Sequence, residues 1–245
     1  MKRSILTVNE NVPLTADVFR MRLSGDVSSV TRPGQFVNIR LDGLYLRRPI
    51  SVCDRGEDSI TLLYKVVGKG TAQMSAMKPG TSLDVLTGLG NGYDTALSGD
   101  LPLLLGGGVG VPPLYWLAKQ FLAEGKRVTA ILGFNTAAEV FYEREFLALG
   151  ADVLVTTVDG SYGLRGFVTD AMKNRAYSYF YTCGPEPMLK AVYRASVTSG
   201  QFSFEERMGC GFGACMGCSC KTVTGFKRIC REGPVLQKEE ILWEA

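Results

Sequence analysis

Hydrophobic and polar residues alternate through much of residues 1–98. In the segment "DVFRMRLSG", Phe19, Met21 and Leu23 alternate with arginines, and "GQFVNIRL" repeats the same alternation. Proline-glycine pairs at 33–34 and 79–80 separate such segments. Alternation with a period of two, divided by turns of this kind, predicts an antiparallel β-barrel or sandwich over residues 1–98.

From residue 101 onward, continuous apolar runs replace the alternating pattern. The run "LPLLLGGG" leads into an amphipathic segment, "VPPLYWLAKQFLAEG", and then into a second apolar run, "RVTAILGF". The runs "DVLVTTVDG" and "YSYFYTCG" follow, and "PEPMLKAVYRASVTSG" is typical of a helix. Strands buried on both faces that alternate with helices predict a doubly wound parallel sheet over residues 99–203.

Composition and charge describe an ordinary globular chain. It has 245 residues, of which 46% are hydrophobic and 21% charged, with a formal net charge of +3. That charge is too small to favour nucleic acid or an anionic membrane as a partner. The basic N-terminus lacks an apolar run of signal-peptide length, and the uncharged stretch 101–118 contains prolines and glycines that mark a strand, turn and helix. We therefore expect a cytoplasmic protein that does not span a membrane.

Five of the seven cysteines lie in residues 207–230, "RMGCGFGACMGCSCKTVTGFKRIC", within a third, small unit predicted over residues 204–245. Cys210, Cys215 and Cys218 follow the spacing C-x4-C-x2-C, and Cys230 comes after eleven further residues. This order matches plant-type [2Fe–2S] proteins, whereas structural zinc prefers two C-x2-C-like pairs. Without an export signal a disulfide framework is disfavoured, so an iron–sulfur cluster is favoured and an all-cysteine zinc site is the alternative.

The fifth cysteine of the run, Cys220, is expected to lie beside the cluster rather than bind it. Its use as a ligand would replace the C-x2-C pair by a C-x4-C pair. The glycines between the cysteines suit a loop that points amide N–H groups at sulfur, because such a loop needs conformations that a Cβ excludes.

Two glycine turns in the parallel-sheet region are candidate nucleotide-binding sites. The first follows the run "LPLLLGGGVGVPPLYWL", where a strand enters a helix and the backbone can approach a pyrophosphate. Its spacing departs from G-x-G-x-x-G, and a tight structural turn is the alternative. The second lies in "YFYTCGPEPML", where Cys183 is expected to be a contact rather than a nucleophile. Ligands sit at the carboxyl ends of such strands, so the two turns could hold one dinucleotide.

The segments "YLRRPISVCD" and "LLYKVVGKGT" of the barrel region are a third candidate site. Arg48 could bind a diphosphate with its planar guanidinium, Ser51 could donate to a ring nitrogen, and the backbone at Gly70 could close on phosphate. A solvated basic surface is an equally good interpretation of these residues on physical grounds alone.

A barrel with "RRPIS", followed by a nucleotide fold with "GGGVGVPPL" and "CGPEPM", resembles the ferredoxin–NADP reductase superfamily. The terminal "EERMGCGFGACMGCSCK" with "RICREGPV" is similar to the electron-transfer subunits of type B dihydroorotate dehydrogenases, and the resemblance covers essentially the whole chain. It implies FAD on the barrel, NAD on the parallel sheet and a [2Fe–2S] cluster at the C-terminus. Ile50 stands where the superfamily pattern Arg-x-Tyr-Ser has a tyrosine, so ring stacking from that position is lost.

The resemblance also implies the residues of each site. FAD would contact Arg48, Pro49, Ile50, Ser51, Leu63, Tyr64, Lys65, Gly70 and Thr71. NAD would contact Gly106, Gly107, Gly108, Gly110, Cys183, Gly184, Pro185 and Met188. The cluster would be held by Cys210, Cys215, Cys218 and Cys230.

The function implied by the resemblance is electron transfer in pyrimidine biosynthesis. Electrons would pass from dihydroorotate to FMN in a separate TIM-barrel catalytic subunit, then to the cluster, the FAD and NAD+, in a heterotetramer with two copies of each subunit. Such a chain needs no nucleophile, and Ser51 is the candidate hydrogen-bond partner of flavin N5.

Two other functions stay open from the sequence. One is the small subunit of an NADH-dependent ferredoxin:NADP oxidoreductase or of a sulfide dehydrogenase, and the other is a zinc-stabilised nucleotide-sensing module without redox activity. The terminal segment "REGPVLQKEEILWEA" could either contact a partner subunit or pack against the barrel.

Overall fold

The computed structural model describes residues 1–243, which form a closed barrel, a seven-stranded sheet and a two-stranded hairpin. The barrel consists of β1 (Lys2–Pro13), β2 (Val18–Ser24), β3 (Phe36–Ile39), β4 (Arg48–Arg55), β5 (Ser59–Lys65) and β6 (Ser82–Leu89), and helix α1 (Lys69–Ser75) connects β5 to β6. The strand order is β1-β2-β5-β4-β3-β6, and every neighbouring pair is antiparallel. The predicted antiparallel barrel is therefore confirmed.

The second unit is a sheet of parallel strands flanked by helices. Its parallel strands are β7 (Pro102–Gly107), β8 (Thr129–Phe134), β9 (Asp152–Thr157), β10 (Leu164–Arg165), β11 (Tyr179–Cys183) and β12 (Gly200–Ser203). Its helices are α2 (Pro112–Ala123), α3 (Glu143–Leu149), α4 (Val168–Met172) and α5 (Glu186–Ala195). The order β10-β9-β8-β7-β11-β12 reverses direction between β7 and β11, which confirms the doubly wound sheet. No helix within residues 1–243 is long and apolar enough to cross a membrane.

The C-terminal segment contributes a hairpin and one strand of the large sheet. The hairpin is β13 (Ser219–Thr222) with β14 (Gly225–Arg228), and the strand is β15 (Val235–Gln237). Strand β15 pairs antiparallel with β12, with Phe202 opposite Leu236. The predicted boundary between residues 203 and 204 therefore divides a sheet, because the chain returns from the cysteine loop to cover the open edge of β12.

The end of the described chain packs against the large sheet. The Trp243 ring lies 5.7 Å from that of Tyr193, 5.8 Å from that of Phe202 and 5.4 Å from that of Phe204, measured between centroids. Leu236 is buried, and only Leu242 is half exposed. Leu236 and Ile241 lie in a core that contains residues of both the large sheet and the barrel, so the expected packing within the molecule holds for them, and a partner surface at this segment stays a prediction.

One apolar core is shared by all three units. It contains Phe36 and Leu89 of the barrel, Leu105, Phe180 and Phe202 of the large sheet, and Cys218, Ile229 and Cys230 of the C-terminal segment. On another face Cys53 and Leu63 of the barrel join the core beneath α2. The units are therefore joined by buried apolar surface rather than by flexible linkers.

The packing of Trp243 yields a stability prediction. We expect Trp243→Ala to lower the free energy of unfolding by about 2 kcal/mol, less than for a fully buried aromatic because its ring is partly exposed. Leu242→Ala, its exposed neighbour, is the matched control and should change stability by less than about 0.5 kcal/mol. Denaturant unfolding measures both, and equal effects of the two substitutions would contradict the packing described here.

Candidate cofactor sites

The two glycine turns lie side by side at the point where the sheet order reverses. Strands β7 and β11 are neighbours, with Gly106 paired to Cys183. A Cβ on Gly110 would overlap the Cys183 carbonyl, and a Cβ on Gly107 would overlap the Met188 sulfur. The structure thus brings the two predicted turns together, as expected for loops that hold one dinucleotide at a switch point.

Within the first turn, some glycines are buried in packing contacts and one is partly exposed. Gly106, Gly107 and Gly110 are buried between the turns, whereas Gly108 is partly exposed at the mouth and has a φ of +51°. Helix α2 starts directly after this turn with two prolines, and its positive end favours a phosphate. Of the four glycines of this turn that were predicted to bind NAD, Gly108 is therefore the one that is partly exposed.

Cys183 is a buried thiol. Burial raises its pKa, the negative charge of Glu205 raises it further, and a hydrogen bond with Ser203 lowers it. A thiol of this kind stays protonated at neutral pH, so Cys183 is suited to a packing contact and not to nucleophilic chemistry. A cavity beside it is lined in part by Gly184, Glu205 and Trp243.

Arg48 and the start of α1 meet on the barrel. Strand β4 carries Arg48 to Ser51, and a Cβ on Gly70 would overlap the Arg48 guanidinium, so the two predicted phosphate contacts lie against each other. Thr71 Oγ1 accepts from the Val67 amide at 2.9 Å, which fixes the turn before α1. Ser51 is partly exposed and pairs with Phe36 of β3.

Three other predicted FAD contacts have side chains that pack, hydrogen-bond or form an ion pair within the protein. Tyr64 is buried in the barrel, and its hydroxyl donates to Asn11 Oδ1 at 2.8 Å. Leu63 is buried in the core beneath α2, and Lys65 forms a 3.0 Å ion pair with Asp17. For Tyr64 only the main chain is free to face a ligand, because β-strand alternation directs its ring inward.

The predicted cluster ligands approach one another as two pairs, Cys210 with Cys215 and Cys218 with Cys230. Cys210 Sγ accepts from the amides of Ala214 at 3.2 Å and Cys215 at 3.4 Å, and Cys218 Sγ accepts from the Cys230 amide at 3.4 Å. Among residues 1–243, no three cysteine or acidic side chains are grouped closely enough to hold a single ion. Two thiol pairs with amide donors on sulfur fit a two-iron cluster.

The acidities of these thiols follow from their surroundings. Burial would raise the pKa of Cys210, but hydrogen bonds from the amides of Phe212, Cys215 and Ala214 outweigh it and lower the pKa to about 6. Burial and the neighbouring Cys218 thiol raise the pKa of Cys230 to about 12. Amide donors that stabilise a thiolate at the first ligand position also stabilise the anionic sulfur of a metal ligand.

Two polar side chains hold the cysteine loop, and neither was predicted from the sequence. Asn38 of β3 donates through Nδ2 to the Cys210 carbonyl at 3.2 Å. Arg228 of β14 donates through Nη1 to the Gly213 carbonyl at 2.6 Å and is itself held by Glu232, which accepts from its Nε at 2.9 Å. The alternation of β3 places Asn38 on the face opposite Val37 and Ile39 but does not distinguish it from other polar strand residues.

Cys220 lies on β13 opposite Lys227 and lines the same cavity as Trp243. Burial raises the pKa of this thiol. Its position outside the two thiol pairs is consistent with the predicted neighbouring role.

Together these features define a flavin- and nicotinamide-dependent electron-transfer reductase with an added iron–sulfur loop. The iron–sulfur cluster binding domain of dihydroorotate dehydrogenase B matches residues 205–242, and an oxidoreductase NAD-binding domain matches residues 104–194. The dihydroorotate dehydrogenase B (NAD(+)) electron transfer subunits of Fusobacterium nucleatum and of a Geobacillus species are 46% and 44% identical to the chain. The alignments cover 98% and 99% of this chain and 99% of each relative. The chain belongs to the family of dihydroorotate dehydrogenase B electron transfer subunits.

Solved structures share the fold of this chain. A structure of an NADH-dependent reduced ferredoxin-NADP oxidoreductase has a TM-score of 0.88 and 34% identity, and the match covers 97% of this chain and 90% of that one. A ferredoxin NADP+ reductase from Neisseria gonorrhoeae has a TM-score of 0.70 at 17% identity, over 80% of this chain and 90% of that one, which shows the shared fold. The predicted cofactors, FAD, a [2Fe–2S] cluster and NAD, are confirmed by these matches.

The division of the cysteines into ligands and neighbour gives a paired prediction. We expect Cys218→Ser to lose the cluster, because it removes one thiolate of a pair, and Cys220→Ser to retain it. Iron and acid-labile sulfide content, together with visible absorption of anaerobically purified protein, measure both variants. Loss of iron from Cys220→Ser alone would reverse the assignment.

Proposed function

We propose that the chain transfers electrons between a dihydroorotate-oxidising flavoprotein partner and NAD+. The observation that carries this proposal is the joining of three predicted cofactor regions by buried apolar packing: Cys53 of β4 packs beneath α2, which follows the first glycine turn, and Cys218 and Cys230 of the cysteine segment pack with strands of the large sheet. When bound, FAD exchanges electron pairs with a nicotinamide and single electrons with an iron–sulfur cluster, and so connects the two kinds of carrier. The residues of the chain bind and orient these groups.

The proposed FAD site uses Arg48 and the Gly70–Thr71 backbone for the diphosphate and Ser51 for flavin N5. The contact between Arg48 and Gly70 supports the first role, because a guanidinium held over a helix start offers several donors to phosphate oxygens. The partly exposed position of Ser51 on β4 supports the second. Leu63 and Lys65 would border the flavin, and Tyr64 would contribute its main chain.

NAD rather than NADP as the nucleotide is supported by an acidic side chain after β8. The Asn135 amide N–H and its side-chain Nδ2 both donate to the Glu139 carboxylate, at 3.1 and 2.9 Å. A carboxylate fixed at the end of the second parallel strand accepts from the free 2′-hydroxyl of a ribose and repels a 2′-phosphate. Gly108, Pro185 and Met188 would contact the dinucleotide at the neighbouring turns.

The proposed partner is an FMN-containing TIM-barrel catalytic subunit, in a cytoplasmic heterotetramer with two copies of each chain. Apolar side chains exposed beside the proposed cluster support docking there: Phe212 is 42% and Met216 54% exposed, and Cys215 between them is exposed as well. Apolar surface around a redox centre allows a partner to exclude water from it.

A second candidate function is the small subunit of an NADH-dependent ferredoxin:NADP oxidoreductase. The structural match at 34% identity over 97% of this chain favours keeping it. The identities of 46% and 44% to dihydroorotate dehydrogenase B subunits favour the first function.

Purification of the native complex tests the proposal. We expect an anaerobic preparation to show flavin bands and a [2Fe–2S] shoulder, to give an EPR signal after dithionite reduction, and to contain an FMN-bearing TIM-barrel subunit. Copurification with a second, large flavoprotein instead would support the second candidate. A colourless, zinc-containing protein would contradict both functions.

The role of Ser51 is tested separately. We expect Ser51→Ala to slow flavin reduction by NADH about tenfold, the factor that corresponds to the loss of one hydrogen bond of about 1.4 kcal/mol, while FAD stays bound. Stopped-flow absorbance measures the rate, and Ser24→Ala at the far end of β2 is the control. An unchanged rate with Ser51→Ala would remove the proposed role.

A further inference from the structure

The outer face of β3 is where the cysteine loop rests on the barrel. Val37 and Ile39 point into the barrel core, so Phe36 and Asn38 point outward. Both outward residues are nevertheless buried: Phe36 packs in the apolar core with Cys218 and Cys230, and Asn38 is only 1% exposed. The cysteine loop therefore covers the outer face of β3, which is buried instead of facing solvent.

Asn38 contacts the loop at the first ligand of the proposed cluster. Its Nδ2 donates to the Cys210 carbonyl at 3.2 Å, and a Cβ on Gly211 would overlap the same Nδ2. Gly211 has a φ of +76°, a conformation that favours glycine. The partner is a carbonyl, which can only accept, so the amide nitrogen and not the oxygen must face it.

The backbone of Asn38 is paired with β4, the strand that carries the proposed FAD contacts. Asn38 pairs with Pro49 of β4. Arg47 donates through Nη1 to the Asn38 carbonyl at 3.4 Å and to the Asp84 carbonyl at 2.9 Å, and its Nη2 bonds the Asp84 carboxylate at 2.9 Å. One residue therefore links the segment 48–51 to Cys210 through a strand pairing and a single side-chain hydrogen bond.

Packing alone would not favour an asparagine at this position. Asn38 Oδ1 is buried without a hydrogen-bond partner among the described residues. A buried acceptor left unpaired costs about 1–3 kcal/mol, whereas an apolar residue of similar size would avoid that cost. The donor on Nδ2 is what an apolar residue could not supply.

We infer that Asn38 is a positioning residue that holds the Cys210 end of the cluster loop against the FAD-binding strand of the barrel. The inference rests on the proposed function, since it takes Cys210 as a cluster ligand. Its effect would be on the orientation of the cluster relative to the flavin and on the electronic environment of the Cys210 sulfur.

The first test compares Asn38→Asp with Asn91→Ala in the complete complex. Aspartate keeps the size of asparagine but lacks the N–H group that donates to the carbonyl. Asn91 is the matched control because its side chain also joins the barrel to the C-terminal segment. Its Nδ2 donates to the Val235 carbonyl at 2.7 Å and to the Glu232 carbonyl at 3.1 Å, its Oδ1 accepts from the Val235 amide at 3.1 Å, and its hydrogen bonds reach no residue of the cysteine loop 209–218.

We expect Asn38→Asp to keep FAD, to alter the EPR line shape of the reduced cluster, and to accelerate cluster loss by roughly tenfold, the low end of what removal of an outer-shell partner costs a metal site. Flavin reduction by NADH should not change, since that step does not use the loop. Asn91→Ala should leave the EPR signal intact. An Asn38→Asp signal and cluster lifetime equal to those of the wild type would overturn the inference, and a wild-type protein without a cluster would overturn the proposed function instead.

A double-mutant cycle keeps the inference testable if Asn38→Asp fails to fold. Gly211→Ala places a methyl group on the Asn38 amide, and Asn38→Ala removes that amide. If the two residues are in contact, the effects of the single substitutions on cluster lifetime and on the thermal unfolding midpoint are not additive, and Gly211→Ala costs less in the Asn38→Ala background. Additive effects would show that Asn38 does not hold the loop.

Discussion

The burial of one apolar core shared by the barrel, the parallel sheet and the C-terminal segment is the interaction on which the rest of this structure depends. Phe36, Phe202 and Ile229, one from each unit, lie in it fully or almost fully buried. Apolar burial is non-directional and strong, so it fixes the units against one another without demanding a particular polar geometry. Cofactors bound to three separate units would then keep constant distances from one another.

Hydrogen bonds between the units fix the geometry of the contacts that the apolar core holds together. Asn91 joins the barrel to β15, Asn38 joins it to Cys210, and the Arg228–Glu232 pair holds the loop at Gly213. Each such bond is worth only about 1 kcal/mol net, but each is specific in geometry. The cysteine loop has little regular structure of its own, and these contacts substitute for it.

The same loop shows why an iron–sulfur site can be assembled on a short segment. Gly211 and Gly213 have positive φ, so successive amides can turn toward sulfur, and the resulting N–H groups stabilise negative charge on Cys210. The irregular backbone of the loop lacks the hydrogen bonds of regular structure. The segment then continues into β13, β14 and β15, and the pairing of β15 with the neighbouring sheet offsets this loss.

The sequence by itself determined the antiparallel strands of the first unit, the doubly wound sheet and the cysteine spacing, because each depends on local periodicity or on fixed offsets along the chain; that the first unit is a barrel and not a sandwich was implied only by the family resemblance. It also located the turns around Gly108 and Gly184, since a strand that ends in glycine is a local feature. It could not assign Tyr64 to the barrel core or separate Gly108 from the buried glycines beside it, because burial depends on what other segments cover a residue.

Tertiary structure alone decided the path of the chain after residue 204. The strand pairing of Leu236 with Phe202, the packing of Trp243 on the sheet and the burial of Asn38 all join residues that are distant in sequence. Alternation in β3 places Asn38 on the face opposite the barrel core, and the cysteine loop, about 170 positions further along, covers that face. Periodicity reports which face of a strand a residue occupies, but only the folded chain determines whether that face meets water.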